Sequence, residues 1–115
     1  MSIKLPQPIE NYFRHSEKGA LKEASEAFAL DATVIDEGED SKAVGREAIH
    51  GWITEYTSKF KTTLEVVNLV EKDGEAVVTT LVSGDFPGSP AEFVYRFALR
   101  NDLIDRLVVE FVGFK

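Results

Sequence analysis

The chain has 115 residues, room for one domain expected to span residues 1–115, and its 43% hydrophobic and 29% charged residues are those of a globular rather than a disordered chain. Twenty Asp and Glu against 13 Lys and Arg leave a net charge of −7, so no basic surplus exists to meet nucleic-acid phosphates or an anionic membrane. The absence of cysteine excludes disulfides, iron–sulfur clusters and thiolate zinc sites. No apolar run approaches the roughly 20 residues that cross a bilayer. Met1–Glu10 lacks the charged start and apolar centre of a signal peptide, which leads to the expectation of a cytoplasmic protein.

The periodicity changes near residue 60, from helical spacing to strand-like alternation. Pro6 and Pro8 mark a helix start, and Ile9, Tyr12 and Phe13 form its apolar stripe. His15–Gly19 reads as a turn. A second helix carries Leu21, Ala24, Ala27 and Phe28 on one side, with Lys22, Glu23 and Glu26 opposite. Thr33–Asp36 reads as a short strand, broken by the acidic Glu37–Asp40 run. After Gly45 comes a third helix with Ile49, Trp52, Ile53, Tyr56 and Phe60 along one side. Four strands follow: Leu64–Val70, a hairpin turn at Asp73-Gly74, Ala76–Ser83, a Gly84–Pro90 loop, Glu92–Arg100, a turn at Asn101-Asp102, then Leu103–Phe114. Within Glu92–Arg100 the side chains of Phe93, Tyr95, Phe97 and Leu99 share one face, opposite Arg96 and Arg100. Three helices packed on a curved, mostly antiparallel sheet make an α+β architecture with a cone-shaped, barrel-like cavity.

Most familiar chemistries find no foothold. His15 and His50 are the only histidines and form no His-x-x-x-His pair, so no metal site is expected. The Asp36–Asp40 cluster lacks the spacing of an EF-hand loop and reads as a solvated acidic turn. Neither a dinucleotide fingerprint nor a phosphate loop occurs, and Ser89 stands in Gly-Ser-Pro rather than a nucleophile elbow, so no cofactor is expected. What remains are single polar residues inside aromatic stripes. Asp36 follows two apolar residues, Tyr12 adjoins Phe13, and Tyr95 sits between Phe93 and Phe97. A carboxylate in a cavity loses hydration and becomes a proton acceptor near neutral pH, and a buried phenol needs a partner such as a ligand oxygen. The bland readings stand beside these: Tyr12 as helix packing, Asp36 as the start of the acidic turn.

The run Phe28-Ala29-x-Asp31-Ala32-Thr33-Val34-x-Asp36, followed by Gly45-x-x-Ala48-Ile49, resembles the nuclear transport factor 2-like superfamily, in its SnoaL-like and ketosteroid-isomerase-like branches. Val82-Ser83-Gly84-x-Phe86-Pro87-Gly88-Ser89 and Phe97-x-Leu99, with Ile104 and Leu107 beyond, are similar to its sheet strands. The resemblance runs from Ile9 to Phe111. It implies Tyr12 as an oxyanion donor, Asp36 as a proton shuttle and Trp52 as an aromatic pocket residue. With Tyr56, Tyr95, Phe28 and Phe97, Trp52 makes up the expected ligand-binding set. Tyr95 stands where the isomerases carry a second acid, a departure that separates this chain from steroid isomerisation. Neither the Asp-Arg-Asp trio of the epoxide hydrolases nor the histidine pair of the dehydratases is found. Three roles follow: proton transfer on a small apolar carbonyl compound, non-catalytic binding of a hydrophobic small molecule, or an interaction domain. The resemblance implies a homodimer through the sheet under each.

Overall fold

The computed structural model describes residues 3–59 and 62–115. Helix α1 spans Gln7–Lys18, with Pro6 at its N-cap and Pro8 in the first turn, where a missing N–H costs nothing. Gly19 closes it in the left-handed conformation at φ 80°, so that the N–H groups of Gly19 and Ala20 reach the carbonyls of Ser16 and His15. This closure corrects the expected His15–Gly19 turn. One left-handed residue suffices to end the helix, and the reversal is confined to Gly19 and Ala20.

Helix α2 is a short Leu21–Ser25 segment, and Phe28 already belongs to strand β1, Phe28–Asp36. The expected helix stripe through Ala27 and Phe28 therefore fails, and the short Thr33–Asp36 strand begins five residues earlier. The reason lies in strand β6, Leu103–Phe114, which runs parallel to β1. Phe28 pairs with Ile104, whose N–H donates to Ala27 O at 2.9 Å. Thr33 then faces Arg106, so β1 carries extra residues against β6 and bulges. Leu30 is thrown out to solvent, while Ala29 and Ala32 stay buried. At the interrupted ladder the Arg46 guanidinium donates to Phe28 O from Nε at 3.0 Å and Nη2 at 2.6 Å.

Strand β2, Ser41–Val44, pairs antiparallel with β1 across the acidic turn and had no counterpart in the sequence reading. Helix α3 spans Arg46–Lys59 and is tied to β1 through the Gly45 N–H, which donates to Ala32 O at 2.8 Å. Ile49 and Ile53 enter the core, and Trp52 and Tyr56 are half-buried. Phe60, expected to extend that stripe, lies outside the described residues.

Strands β3 (Thr62–Lys72), β4 (Glu75–Gly84) and β5 (Ala91–Arg100) then lead in a meander to β6. Asp73-Gly74 and Asn101-Asp102 all have positive φ, the geometry of two-residue hairpin turns whose twist matches the strands. The sheet order is β2-β1-β6-β5-β4-β3, antiparallel except for β1 beside β6. Along β5, Tyr95 and Phe97 face inward as expected. Leu99 does not: the register shifts between Ala98 and Leu99 and leaves it 38% exposed. Three helices on one face of an open, curved six-stranded sheet give the α+β architecture anticipated, with Phe28, Ile9, Ile49, Phe97, Ile104 and Leu107 at the centre of the core.

Candidate functional site

Strand alternation decides which acid of the Asp36–Asp40 run turns inward. Ala32, Val34 and Asp36 alternate toward the core, so Asp36 is only 4% exposed although Glu37, Gly38, Glu39 and Asp40 are all exposed. Asp36 pairs with Val109 on β6, and Val109 pairs on its other side with Tyr95 of β5. In-register neighbours share a face, so Asp36 and Tyr95 flank Val109 on the inner floor, their backbones about 10 Å apart across two strand spacings. Tyr12 comes down from α1, and Trp52 and Tyr56 reach in from α3.

All five line one cavity of about 280 Å³, whose far wall is aromatic: Phe86, Pro87, Phe93, Phe111 and Phe114. Phe93 and Phe114 pack against Phe111 with ring centroids 5.5 and 5.0 Å away. Tyr12, Trp52, Tyr56, Thr62 and Tyr95 also line a wider opening between the end of α1, α3 and the β3–β4 edge, which is the mouth. Phe28 and Phe97, expected among the ligand contacts, lie instead behind the wall. Both are fully buried, and neither lines a described cavity. They hold the phenols in place: Tyr12 meets Phe28 edge-on at 5.2 Å and Phe97 at 6.2 Å, and Tyr95 lies parallel to Phe97 at 6.1 Å with Phe13 edge-on at 5.2 Å. The sequence reading missed Phe86, Phe111 and Phe114 as lining. Their only signal was aromatic residues continuing past the core end of the last strand and into a Pro-Gly loop.

The electrostatics separate the roles of these groups. Asp36 Oδ1 accepts the Glu39 backbone N–H and Oδ2 accepts the Trp52 Nε1–H, both at 3.3 Å. Burial nevertheless outweighs these bonds and raises the carboxyl above the ordinary carboxylate range, with Glu39 adding to the rise. The phenols are raised as well, Tyr12 and Tyr95 chiefly by burial and Tyr56 to about 12 by burial and then by Asp36 and Glu39. All three therefore stay protonated at neutral pH and act as donors. Among the described residues neither Tyr12 nor Tyr95 has a hydrogen-bond partner for its hydroxyl. Two donors without acceptors thus share a space with one carboxyl that takes up a proton more readily than usual.

The sequence model of the SnoaL-like domain matches residues 9–111. The chain belongs to the SnoaL-like domain family. Among solved structures, this SnoaL-like domain is similar to a Sinorhizobium meliloti protein described provisionally as a polyketide cyclase, at 32% identity and a TM-score of 0.85, over 92% of this chain and 95% of that one. It is also similar to a Catenulispora acidiphila protein with a ketosteroid isomerase-like fold, in complex with trimethylamine, at 15% identity and a TM-score of 0.81, over 92% and 85% of the two chains. A third likeness is to TerC co-crystallised with polyporic acid, at 12% identity and a TM-score of 0.80, over 92% and 89%. A comparison with curated proteins gave no match. The resemblance carried by the Phe28–Asp36 and Gly45–Ile49 motifs is thereby borne out for family and fold.

The raised Asp36 carboxyl has a consequence for stability. Between the unfolded and the folded titration points the native SnoaL-like domain binds more protons than the unfolded chain, so its stability falls as pH rises through that window. The cost of the buried anion is then fully present above the folded value and absent below the unfolded one. Asp36→Asn should therefore raise the melting temperature at pH 7, and the gain should vanish once the pH drops below about 3.9. Thermal unfolding across pH measures this, and a loss of stability at pH 7 would contradict a raised Asp36.

Proposed function

We propose that this SnoaL-like domain transfers a proton next to a carbonyl group of a small apolar compound, with Asp36 as the base and Tyr12 and Tyr95 as the donors to the oxygen. The observation that carries the reading is the buried carboxyl sharing one aromatic cavity with two phenols whose hydroxyls have no acceptor among the described residues. Ionised Asp36 takes the proton from the carbon beside the carbonyl. The C–H electron pair becomes a carbon–carbon double bond, and the carbonyl electrons move onto oxygen. Tyr12 and Tyr95 donate to that oxygen where its charge develops. Where the enolate is conjugated with a neighbouring double bond, the Asp36 carboxylic acid then returns its proton to the far carbon of that extended anion, which balances the reaction as an isomerisation. If the enolate carbon instead attacks a second carbonyl of the same molecule, a ring closes, the π electrons of that carbonyl move onto its oxygen, and Asp36 returns its proton there. The second outcome is supported by the 32%-identical relative described provisionally as a polyketide cyclase.

Tyrosine in place of a second acid suits this chemistry while changing its range. A neutral phenol raised well above its ordinary value is a weaker acid than a carboxylic acid, so it stabilises an enolate less. That favours substrates whose C–H is already acidified by a second carbonyl or an aromatic ring. The same cavity without turnover would be a binding module, a reading favoured by the weaker donor pair and by neighbours with trimethylamine or polyporic acid bound.

We further propose that two chains pair through the outer sheet face, where Val94 on β5 pairs with Glu110 of β6, Val108 lies opposite Arg96, the Arg96–Glu110 ion pair sits among these valines, and Val112 is 51% exposed. Sedimentation at micromolar concentration should give the mass of a dimer, and a strict monomer would exclude the pairing.

The proton-transfer reading is tested without knowing the natural substrate, by following exchange of C–H for C–D in D₂O over a panel of apolar ketones and 1,3-diketones by NMR. Exchange should rise with pH as Asp36 ionises, disappear in Asp36→Asn, and slow by about 10²–10³-fold in Tyr12→Phe and Tyr95→Phe. Unchanged exchange in Asp36→Asn would overturn the reading, and Trp52 fluorescence changes without exchange would assign the cavity to binding alone.

A further inference from the structure

Trp52 stands where three spaces meet. Its side chain lines the inner cavity, the mouth, and a groove between α3 and β2 that also reaches Asp36, Glu39 and Tyr56. Its Nε1–H donates to Asp36 Oδ2 at 3.3 Å. The other donors to the carboxyl are backbone N–H groups of Gly38 and Glu39, in the turn that follows Asp36, so they move with it. Among the described residues Trp52 is thus the one donor that reaches the carboxyl from another element. The element it comes from is well anchored. Ile49 and Ile53 hold α3 in the core, Arg46 clamps its first turn to Phe28 O, and Tyr56 lies one turn on with its ring 6.3 Å from the indole.

We propose that Trp52 is the positioning residue of Asp36: its indole N–H fixes the rotation of the carboxyl at the floor of the cavity and binds the ionised form. The inference rests on Asp36 being the base. A carboxylate without this donor keeps its burial but loses the one bond that opposes burial from outside its own turn, so the anion becomes harder to form. The catalytic consequence is a base that is free to rotate and ionised only at higher pH. The other charged or titratable groups facing Asp36 are Tyr12 on α1, Glu55 and Tyr56 on α3, Tyr95 on β5, Glu39 in the turn and Lys42 on β2. Their titrations must be separated from its own.

The chain has a single tryptophan, which makes the test direct. In the ¹H–¹⁵N spectrum of the ligand-free protein one indole signal belongs to Trp52, and it is followed with the Asp36 ¹³Cγ signal through a pH titration. The indole signal should show an inflection at the Asp36 midpoint, and Asp36→Asn should remove it, which separates Asp36 from Glu39 and the remaining groups. Trp52→Phe, which keeps a ring in the wall and deletes the donor, should move the Asp36 midpoint upward and carry the pH profile of C–D exchange with it. An indole signal flat through the Asp36 midpoint, or an Asp36 midpoint unmoved in Trp52→Phe, would overturn the proposal. If Trp52→Phe does not fold, the inflection in the unaltered protein decides. An Asp36 midpoint at or below the ordinary carboxylate range would defeat the proton-transfer reading. A shared inflection would in that case still uphold the Trp52 contact.

Discussion

The parallel pairing of β1 with β6 is the contact on which the rest of the structure depends. It joins the helical half of the chain to the meander, bringing Phe28 to Ile104 and Asp36 to Val109 across more than half the sequence. Because β6 also pairs with β5, the same alignment places Asp36 two strands from Tyr95. The bulge after Phe28 keeps both ends of β1 in register: Phe28 in the core behind Tyr12, and Asp36 on the inner face beside the cavity. Arg46 closes the gap the bulge leaves, and in doing so it sets the start of α3 and hence the positions of Trp52 and Tyr56.

A carboxyl held in such a place is costly, and the surroundings reduce that cost only partly. Trp52 and the turn backbone supply hydrogen bonds, yet among the described residues no cation lines the inner cavity, and Glu39 adds a like charge nearby. A structural role would be served better by an apolar residue or by a paired acid. The phenols give the same contrast. Phe13, Phe28 and Phe97 fix their rings closely, while Tyr12 and Tyr95 line the cavity and their hydroxyls have no acceptor among the described residues. Rigid rings with unmet polar ends are what a pocket needs if an incoming oxygen is to complete them.

Much of this was legible in the residues, and the limits of legibility have physical causes. Helices α1 and α3 showed themselves through Pro6, Pro8 and the Ile49–Ile53 stripe, and the hairpins through Asp73-Gly74 and Asn101-Asp102, because helix starts and turns are local, whereas the Gly19 cap was read as part of a longer turn. Strand β1 was read too short, since its bulge breaks alternation and lets Ala24, Ala27 and Phe28 mimic a helical stripe. Strand β2 was invisible because four residues with one buried side chain, Ala43, exist as a strand only by pairing with β1. Tyr12 and Asp36 were singled out through family spacing, and both line the cavity. That Phe28 and Phe97 stand behind the wall, and that Trp52 reaches Asp36 from 16 residues away, depends on how α1 and α3 lie over the sheet. No local pattern encodes that.

The account stands or falls on the state of one side chain, and the most direct measurement is the ¹³Cγ titration of Asp36 in the ligand-free protein, assigned with Asp36→Asn. The account requires a midpoint above the ordinary value of about 3.9, because burial outweighs the hydrogen bonds of Trp52 and the turn. A midpoint at or below that value would mean a solvated or well-stabilised anion, and Asp36 would then be no more than the first residue of an acidic turn.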